Sequence, residues 1–176
     1  MDQSLGGAIF DQGVFSDLVA GNRLFIASFQ GSQLTGLAAK GLAIVTCMDS
    51  RISPLGVVGM HAGDAKILRN AGARVTEDVL RTLVLATYLL GVDRILIMPH
   101  TDCRMAQSEE ADIHATIAKQ YGVDTRSLEF RTVSNQRDAL ITDVTRVRSY
   151  PLLRNGVTVG GAIYNVSTGA LEPVDC

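Results

Sequence analysis

The chain has 176 residues, with 16 Lys and Arg against 18 Asp and Glu, so its formal net charge is −2. This length fits a single domain, and the near balance of charges argues against the basic face that a nucleic-acid-binding protein needs. No stretch approaches the roughly 20 consecutive apolar residues that span a bilayer. We therefore expect a domain that binds neither nucleic acid nor membrane.

The first half of the chain has a helical pattern, then two strand patterns and a second helical pattern. Apolar residues recur at mostly helical spacing over 14–29. Short apolar runs at 42–46 and Ala65–Asn70 predict strands covered on both faces, as in a parallel sheet. A helix is predicted from an N-cap at Thr76 to a C-terminal stop at Gly91.

The second half continues this alternation. A third buried strand is predicted at Arg94–Met98, followed by helices over 110–122 and 134–150, with Pro151 beyond the end of the second, and a hairpin over 157–171. Alternating strands and helices indicate an α/β fold. The predicted fold class is a central, mostly parallel sheet flanked by helices, with a C-terminal hairpin or edge strand.

Cysteine usage and the N-terminal sequence indicate a compartment. The stretch MDQSLGGAIF lacks the basic and apolar regions of a secretory signal peptide. The chain has three cysteines, an odd number, and such thiols in a reducing compartment are buried, metal-binding or catalytic. We expect a cytoplasmic protein, with Cys176 as a free, mobile thiol and with His61 and His114 at the surface.

Metal-binding side chains follow two of the predicted strands. Cys47 follows the strand at 42–46, and His100 and Cys103 follow the strand at Arg94–Met98. Sites in open α/β sheets form beyond the carboxyl ends of the strands, so these groups converge if the two strands are neighbours. Two cysteines and one histidine form a ligand set that leaves zinc an open fourth position. The sequence therefore predicts one zinc ion per chain.

A carboxylate and a guanidinium lie next to the first cysteine. Asp49 can reach the open position or a water bound there, and Arg51 can hold Asp49 ionised through a bidentate pair. Asp49 is expected to orient a metal-bound hydroxide, or to ligate zinc and close the site. Arg69 and the turn that follows it either shape this site or only complete the fold.

These motifs resemble a known family. CMDSR and HTDC match the C-x-D-x-R and H-x-x-C motifs of the β-class carbonic anhydrases, and LVAGNRLF, GDAKILRNAGARV and GVTVGGAIYNVSTGAL resemble further segments of that family. The resemblance covers nearly the whole chain. One departure is Arg104, which stands where the family usually has Gly after the second cysteine.

The resemblance implies a zinc enzyme that interconverts carbon dioxide and bicarbonate. By this likeness Cys47, His100 and Cys103 are zinc ligands, and Asp49 and Arg51 form the catalytic dyad. It also implies one domain over 1–176 and a homo-oligomer, either a dimer or a dimer of dimers. An N-terminal helical arm, about 1–35, would pack on the partner subunit.

Two other functions stay open on the same residues. A hydrolase acting on CS₂ or COS would use the same metal site with a narrower, apolar access route, and Arg104 near the mouth argues against it. A zinc-stabilised protein without turnover would keep Asp49 on the metal permanently. Arg51 argues against that function because it should draw Asp49 away from zinc.

Overall fold

The computed structural model describes residues 13–176, which divide into two units, one within Met1–Thr35 and the other Gly36–Cys176. The described part of the first unit contains helix α1, Ser16–Ala27, and a short 3₁₀ helix, Gly31–Gln33. The helix predicted over 14–29 is therefore present, two residues shorter at each end. Residues 1–12 of the predicted N-terminal arm lie outside the described residues.

A five-stranded sheet organises the second unit. Its strands are β1 Leu42–Cys47, β2 Ala65–Asn70, β3 Arg94–Met98, β4 Thr158–Tyr164 and β5 Leu171–Val174. They lie in the order β2-β1-β3-β4-β5, with all neighbours parallel except the antiparallel β4 and β5. The predicted fold class, a mostly parallel sheet with an antiparallel C-terminal strand pair, is confirmed.

The central strand β1 sets the position of the first cysteine. All six of its residues are buried, as expected for a strand covered on both faces. β1 extends one residue further than predicted, so Cys47 ends the strand instead of following it. Cys47 pairs with Asn70 of β2, and Thr46 pairs with Met98 at the end of β3. Neighbouring strands therefore finish together at one edge of the sheet.

Four α-helices occupy the second unit: α2 Pro54–Val57, α3 Glu77–Leu89, α4 Glu110–Tyr121 and α5 Gln136–Arg148. The predicted helices over 110–122 and 134–150 are found, and the latter is shorter by two residues at each end. Thr76 caps α3 as predicted, because its side chain accepts a hydrogen bond from the Val79 amide. Among residues 13–176, no helix is both long and apolar enough to cross a membrane.

The core lies on both faces of the sheet. On one face, α3 and α5 pack on the strands through a cluster that includes Leu83, Val144, Val45 and Ile97. The other face carries a second cluster, formed by Leu42, Ile44, Cys47, Ile52, Met98, Cys103 and Met105. The two cysteines of the predicted metal site therefore belong to an apolar cluster.

Candidate metal centre

Three buried side chains meet beyond the carboxyl ends of β1 and β3. The ligand atoms of Cys47, His100 and Cys103 all lie within 4.8 Å of one another, and the two Sγ atoms are 4.0 Å apart. The convergence follows from topology, since adjacent parallel strands end at the same edge of a sheet. The structure thus brings together the three residues predicted as ligands. Their role as ligands stays a prediction.

The histidine supplies a test of whether this group fits a metal. His100 is fully buried, and its Nδ1 lies 2.8 Å from the carbonyl oxygen of Thr101. Nδ1 therefore carries the proton that is donated to this carbonyl, which leaves a lone pair on Nε2. Nε2 has no hydrogen-bond partner among residues 13–176. A buried polar atom without a partner costs free energy, and a metal ion beside the two sulfurs would satisfy it.

The two sulfurs occupy different surroundings. Burial raises the pKa of the Cys103 thiol to about 11, and the nearby Cys47 sulfur adds to this rise. Cys47 Sγ accepts a hydrogen bond from the Gly72 amide at 3.4 Å. A bound cation would reverse the effect of burial on Cys103, because thiolate is the form of cysteine that binds metals.

The predicted dyad is formed. The backbone amide and Nε of Arg51 donate to Asp49 Oδ1 at 2.9 and 3.0 Å, and Nη2 donates to Oδ2 at 2.8 Å. These bonds hold the pKa of the Asp49 carboxyl well below its usual range. Asp49 Oδ2 lies 3.8 Å from His100 Nε2. An ionised carboxylate therefore lies beside the three candidate ligands.

Arg69, the next-to-last residue of β2, shapes the loop that carries the dyad. Its guanidinium donates to three carbonyl oxygens: Cys47 through Nε at 2.9 Å, Asp49 through Nη2 at 2.5 Å and Ile52 through Nη1 at 3.3 Å. Of the two roles that the sequence left open for Arg69, the contacts support shaping the site.

Sequence reasoning missed three polar side chains around the ligands. Gln136, the first residue of α5, donates from Nε2 to the His100 carbonyl at 2.5 Å. Asp102 accepts hydrogen bonds from Arg51 and Gln107. The position of Asp102 between two ligand candidates was a usable signal. Gln136 and Gln107 gave none, because their contacts depend on how the loops fold.

Two residues outside the site depart from the predictions. His114 is not a surface side chain: it is 15% exposed, it lies 2.8 Å from Thr125 Oγ1, and its ring packs on Phe130. Cys176 is a free thiol, as predicted, but it is half-buried against the core and donates to the Val174 carbonyl, contacts that the prediction of a mobile thiol did not include. Arg104 is exposed.

Comparison with known proteins gives a consistent result. The family model for carbonic anhydrase matches residues 42–171. Beta-carbonic anhydrase 1 of Mycobacterium tuberculosis is 33% identical over 164 residues, which cover 92% of this chain and 98% of that protein. The crystal structure of a Streptococcus mutans carbonic anhydrase matches with a TM-score of 0.87 and 32% identity, over 93% of this chain and 99% of that one.

Carbon disulfide hydrolase of Acidithiobacillus thiooxidans is more distant, at 28% identity over 152 residues, which cover 75% of this chain and 76% of that protein.

A mostly parallel sheet with a cysteine, a histidine and a second cysteine at its carboxyl edge defines an α/β protein with a candidate metal site. With the family match over 42–171, the chain belongs to the β-class carbonic anhydrase family.

Proposed function

We propose that this protein catalyses the reversible hydration of carbon dioxide to bicarbonate and a proton, with zinc held by Cys47, His100 and Cys103. The observation that carries the proposal is the unpaired Nε2 of buried His100, next to two thiols and 3.8 Å from the Asp49 carboxylate. Zinc, when bound, supplies the Lewis acidity that makes water a nucleophile near neutral pH.

The chain's own residues would orient that water. Asp49 is held ionised by Arg51, so it accepts a hydrogen bond from the water and does not donate one. Accepting this bond fixes the water so that an oxygen lone pair faces the carbon of carbon dioxide. Two thiolates offset the charge of the cation, and the apolar cluster around Cys47 and Cys103 keeps bulk water from the buried side of the ligands.

The test measures the change of pH in carbon dioxide-saturated buffer by stopped flow, with zinc-loaded protein between about pH 7 and 9. We expect acceleration that disappears when the metal is removed and returns when zinc is restored. Loaded protein without acceleration across this range would contradict the proposal, as would activity that survives complete loss of metal.

Hydrolysis of CS₂ or COS is the second candidate, and the observation in its favour is the similarity to the Acidithiobacillus thiooxidans enzyme. The same three ligands and Asp49 would serve it. Exposed Arg104 beside Cys103 argues against an apolar access route at this point. Release of hydrogen sulfide from CS₂ at a rate above carbon dioxide turnover would place this candidate first.

A zinc-stabilised protein without turnover is the remaining alternative. It requires Asp49 to bind the metal permanently, whereas three hydrogen bonds tie this carboxylate to Arg51. Cobalt-substituted protein distinguishes a closed site from a catalytic one, because the visible spectrum of a metal with an open position changes when anions are added. A visible spectrum unchanged by pH and by anions would favour the alternative.

We also propose that the protein is a homo-oligomer, a dimer or a dimer of dimers, in which the arm at about 1–35 packs on the partner subunit. Within the described residues of the arm, none of the residues of α1 is buried, and Leu24 and Ile26 are 78% and 64% exposed. Apolar surface of this kind marks interaction sites. Carbonic anhydrases from Sordaria macrospora with this fold are described as tetrameric.

Light scattering after chromatography tests the assembly. Leu24→Asp and Ile26→Asp should lower the measured mass by weakening the contact, and an unchanged mass would contradict the role of the arm.

We also propose a cytoplasmic location, because all three cysteines are free thiols, as suits a reducing compartment. Cell fractionation would check it.

A further inference from the structure

Arg51 binds a second carboxylate besides Asp49. Its Nη1 donates to Asp102 Oδ2 at 2.7 Å, and its Nη2 donates to the Asp102 carbonyl at 3.1 Å. The other carboxylate oxygen of Asp102, Oδ1, accepts a hydrogen bond from Gln107 Nε2 at 2.6 Å. Both oxygens of Asp102 are therefore oriented, and the side chain of Arg51 is fixed at two nitrogens by a residue outside the dyad.

A second pair in the same chain shows that the dyad does not need this contact in order to form. Arg126 binds Asp124 through its backbone amide, Nε and Nη2 at 3.0, 3.0 and 2.7 Å. Arg51 makes the same three bonds to Asp49. Among residues 13–176, however, Arg126 has no second carboxylate bound to it. The contact with Asp102 is therefore additional to the bonds that a pair of this kind requires.

The backbone at Asp102 indicates what its contact with Arg51 does. Asp102 has φ of 55°, a left-handed conformation that costs free energy for residues other than Gly and is tolerated best by Asn and Asp. It lies between His100 and Cys103, so its bonds to Arg51 join the loop after β1 to the loop after β3. These two loops, together with the last residue of β1, Cys47, carry all three candidate ligands and the dyad.

We propose that Asp102, braced by Gln107, is a positioning residue that anchors Arg51 and thereby keeps the Asp49 carboxylate away from the fourth position of the metal. To bind the metal, Asp49 has to leave Arg51 or draw Arg51 with it. Because Arg51 is anchored on Asp102, it cannot move with Asp49 toward the metal. Asp49 would therefore have to break its bonds to Arg51, which costs free energy. This inference rests on the proposed zinc site.

The experiment uses full-length, cobalt-substituted protein and titrates thiocyanate by visible absorption at about pH 8. Asp102→Gly removes the carboxylate and suits the positive φ. Since removal of a negative charge itself favours anion binding, the effect is measured against the same change in an Asp49→Ala background. There, Asp49 no longer competes for the metal.

The measured ratio is the fold-change in the thiocyanate Kd that a substitution causes with Asp49 present, divided by the fold-change that it causes in the Asp49→Ala background. For Asp102→Gly this ratio should be about three, a size typical of a partly exposed ion pair. Asp102→Asn keeps one acceptor oxygen and should give a smaller ratio, and so should Gln107→Ala. Asp124→Asn is the matched control, because Asp124 and Asp102 are 60% and 59% exposed and each lies 2.7 Å from an arginine nitrogen. Its ratio should be one.

Equal effects of Asp102→Gly in the two backgrounds would overturn the inference. So would a ratio as large in Asp124→Asn as in Asp102→Asn. Failure of the proposed function has a different signature: the unsubstituted protein would then bind no cobalt through its thiols, or would bind thiocyanate without carbon dioxide turnover. The ratio between backgrounds does not depend on turnover.

Discussion

Within residues 13–176 the same local pair forms twice, and only one of the two pairs lies in a candidate site. Asp49 with Arg51 and Asp124 with Arg126 make the same set of bonds, and in both the arginine holds the pKa of the carboxyl well below its usual range. Their surroundings differ. The first pair lies 3.8 Å from buried His100, whereas Asp124 and Arg126 are 60% and 80% exposed.

The difference teaches that local backbone geometry makes the pair and the sheet gives it a possible chemistry. The D-x-R sequences at 49–51 and 124–126 close this ring of hydrogen bonds, whereas the D-x-R sequence at 102–104 does not, and there Asp102 binds Arg51 and Gln107 instead. Of the two pairs described, the one at the end of β1 has two thiols and an imidazole beside it. Comparison of matched substitutions in the two regions therefore separates the effect of the pair from the effect of its position.

The largest expected effect comes from removing one of the groups that distinguish the first region. Cys103→Ala deletes a proposed zinc ligand and should lower zinc affinity by more than about 100-fold, since loss of outer contacts alone costs 10–100-fold. Metal content after dialysis and carbon dioxide hydration should fall together. Cys176→Ala, at a thiol outside the site, should change neither. Full zinc content in Cys103→Ala would remove this cysteine from the ligand set.

The next effect compares the two arginines directly. Arg51→Ala should lower kcat/KM for carbon dioxide by about 100-fold, because Asp49 loses the partner that holds its carboxylate in place. Arg126→Ala removes the same local bonds far from the metal ligands and should leave kcat/KM unchanged. Stopped-flow assays of the two variants at equal zinc content check this. Equal losses in both would mean that the site does not use its pair.

Much of this arrangement could be predicted because it depends on strand patterns alone. The buried apolar runs identified β1 and β3, and parallel neighbours end at one edge of a sheet. Convergence of Cys47, His100 and Cys103 followed once those strands were taken as adjacent. The extra residue in β1 did not affect this outcome, since the side chain of Cys47 remains at the same edge.

The contacts that hold the loops could not be predicted, because they depend on turns of non-repeating geometry. The positive φ of Asp102 and its bond to Arg51 have no periodic signal in the sequence. The same holds for Gln136, which reaches the His100 carbonyl from the start of α5. His114 was assigned to the surface from the polar pattern of its helix, but Phe130 from a later loop covers its ring.

A stability measurement sharpens the comparison by adding a buried ion pair. Arg74 Nε lies 2.7 Å from Asp143 Oδ2, with side chains 18% and 5% exposed. Asp143→Asn should lower the free energy of unfolding by about 2 kcal/mol, because Arg74 then loses its charged partner in a buried place. Asp124→Asn, at the exposed pair, should leave the denaturant midpoint unchanged. A midpoint that moves equally in both would show that burial does not set the difference.

The smallest expected effect is a pH dependence that belongs to the buried region alone. Burial raises the pKa of Cys103 from 9.0 to about 11 in the metal-free protein, so at about pH 8 this thiol is protonated. Zinc binds the thiolate, and binding must therefore release the proton of Cys103. Below about pH 11, zinc affinity should rise with pH by about tenfold per unit for this one proton.

The stability of the metal-free fold has the opposite pH dependence to that of zinc affinity. A raised pKa favours the protonated thiol in the folded state, so its contribution to stability is present below pH 9.0 and is lost as the pH rises toward about 11. A pH indicator in weakly buffered solution should record at least one proton released per zinc added at about pH 8. Cys176→Ala should release the same number. Zinc binding without proton release would mean that Cys103 is already ionised, and that burial does not set the pKa of this thiol.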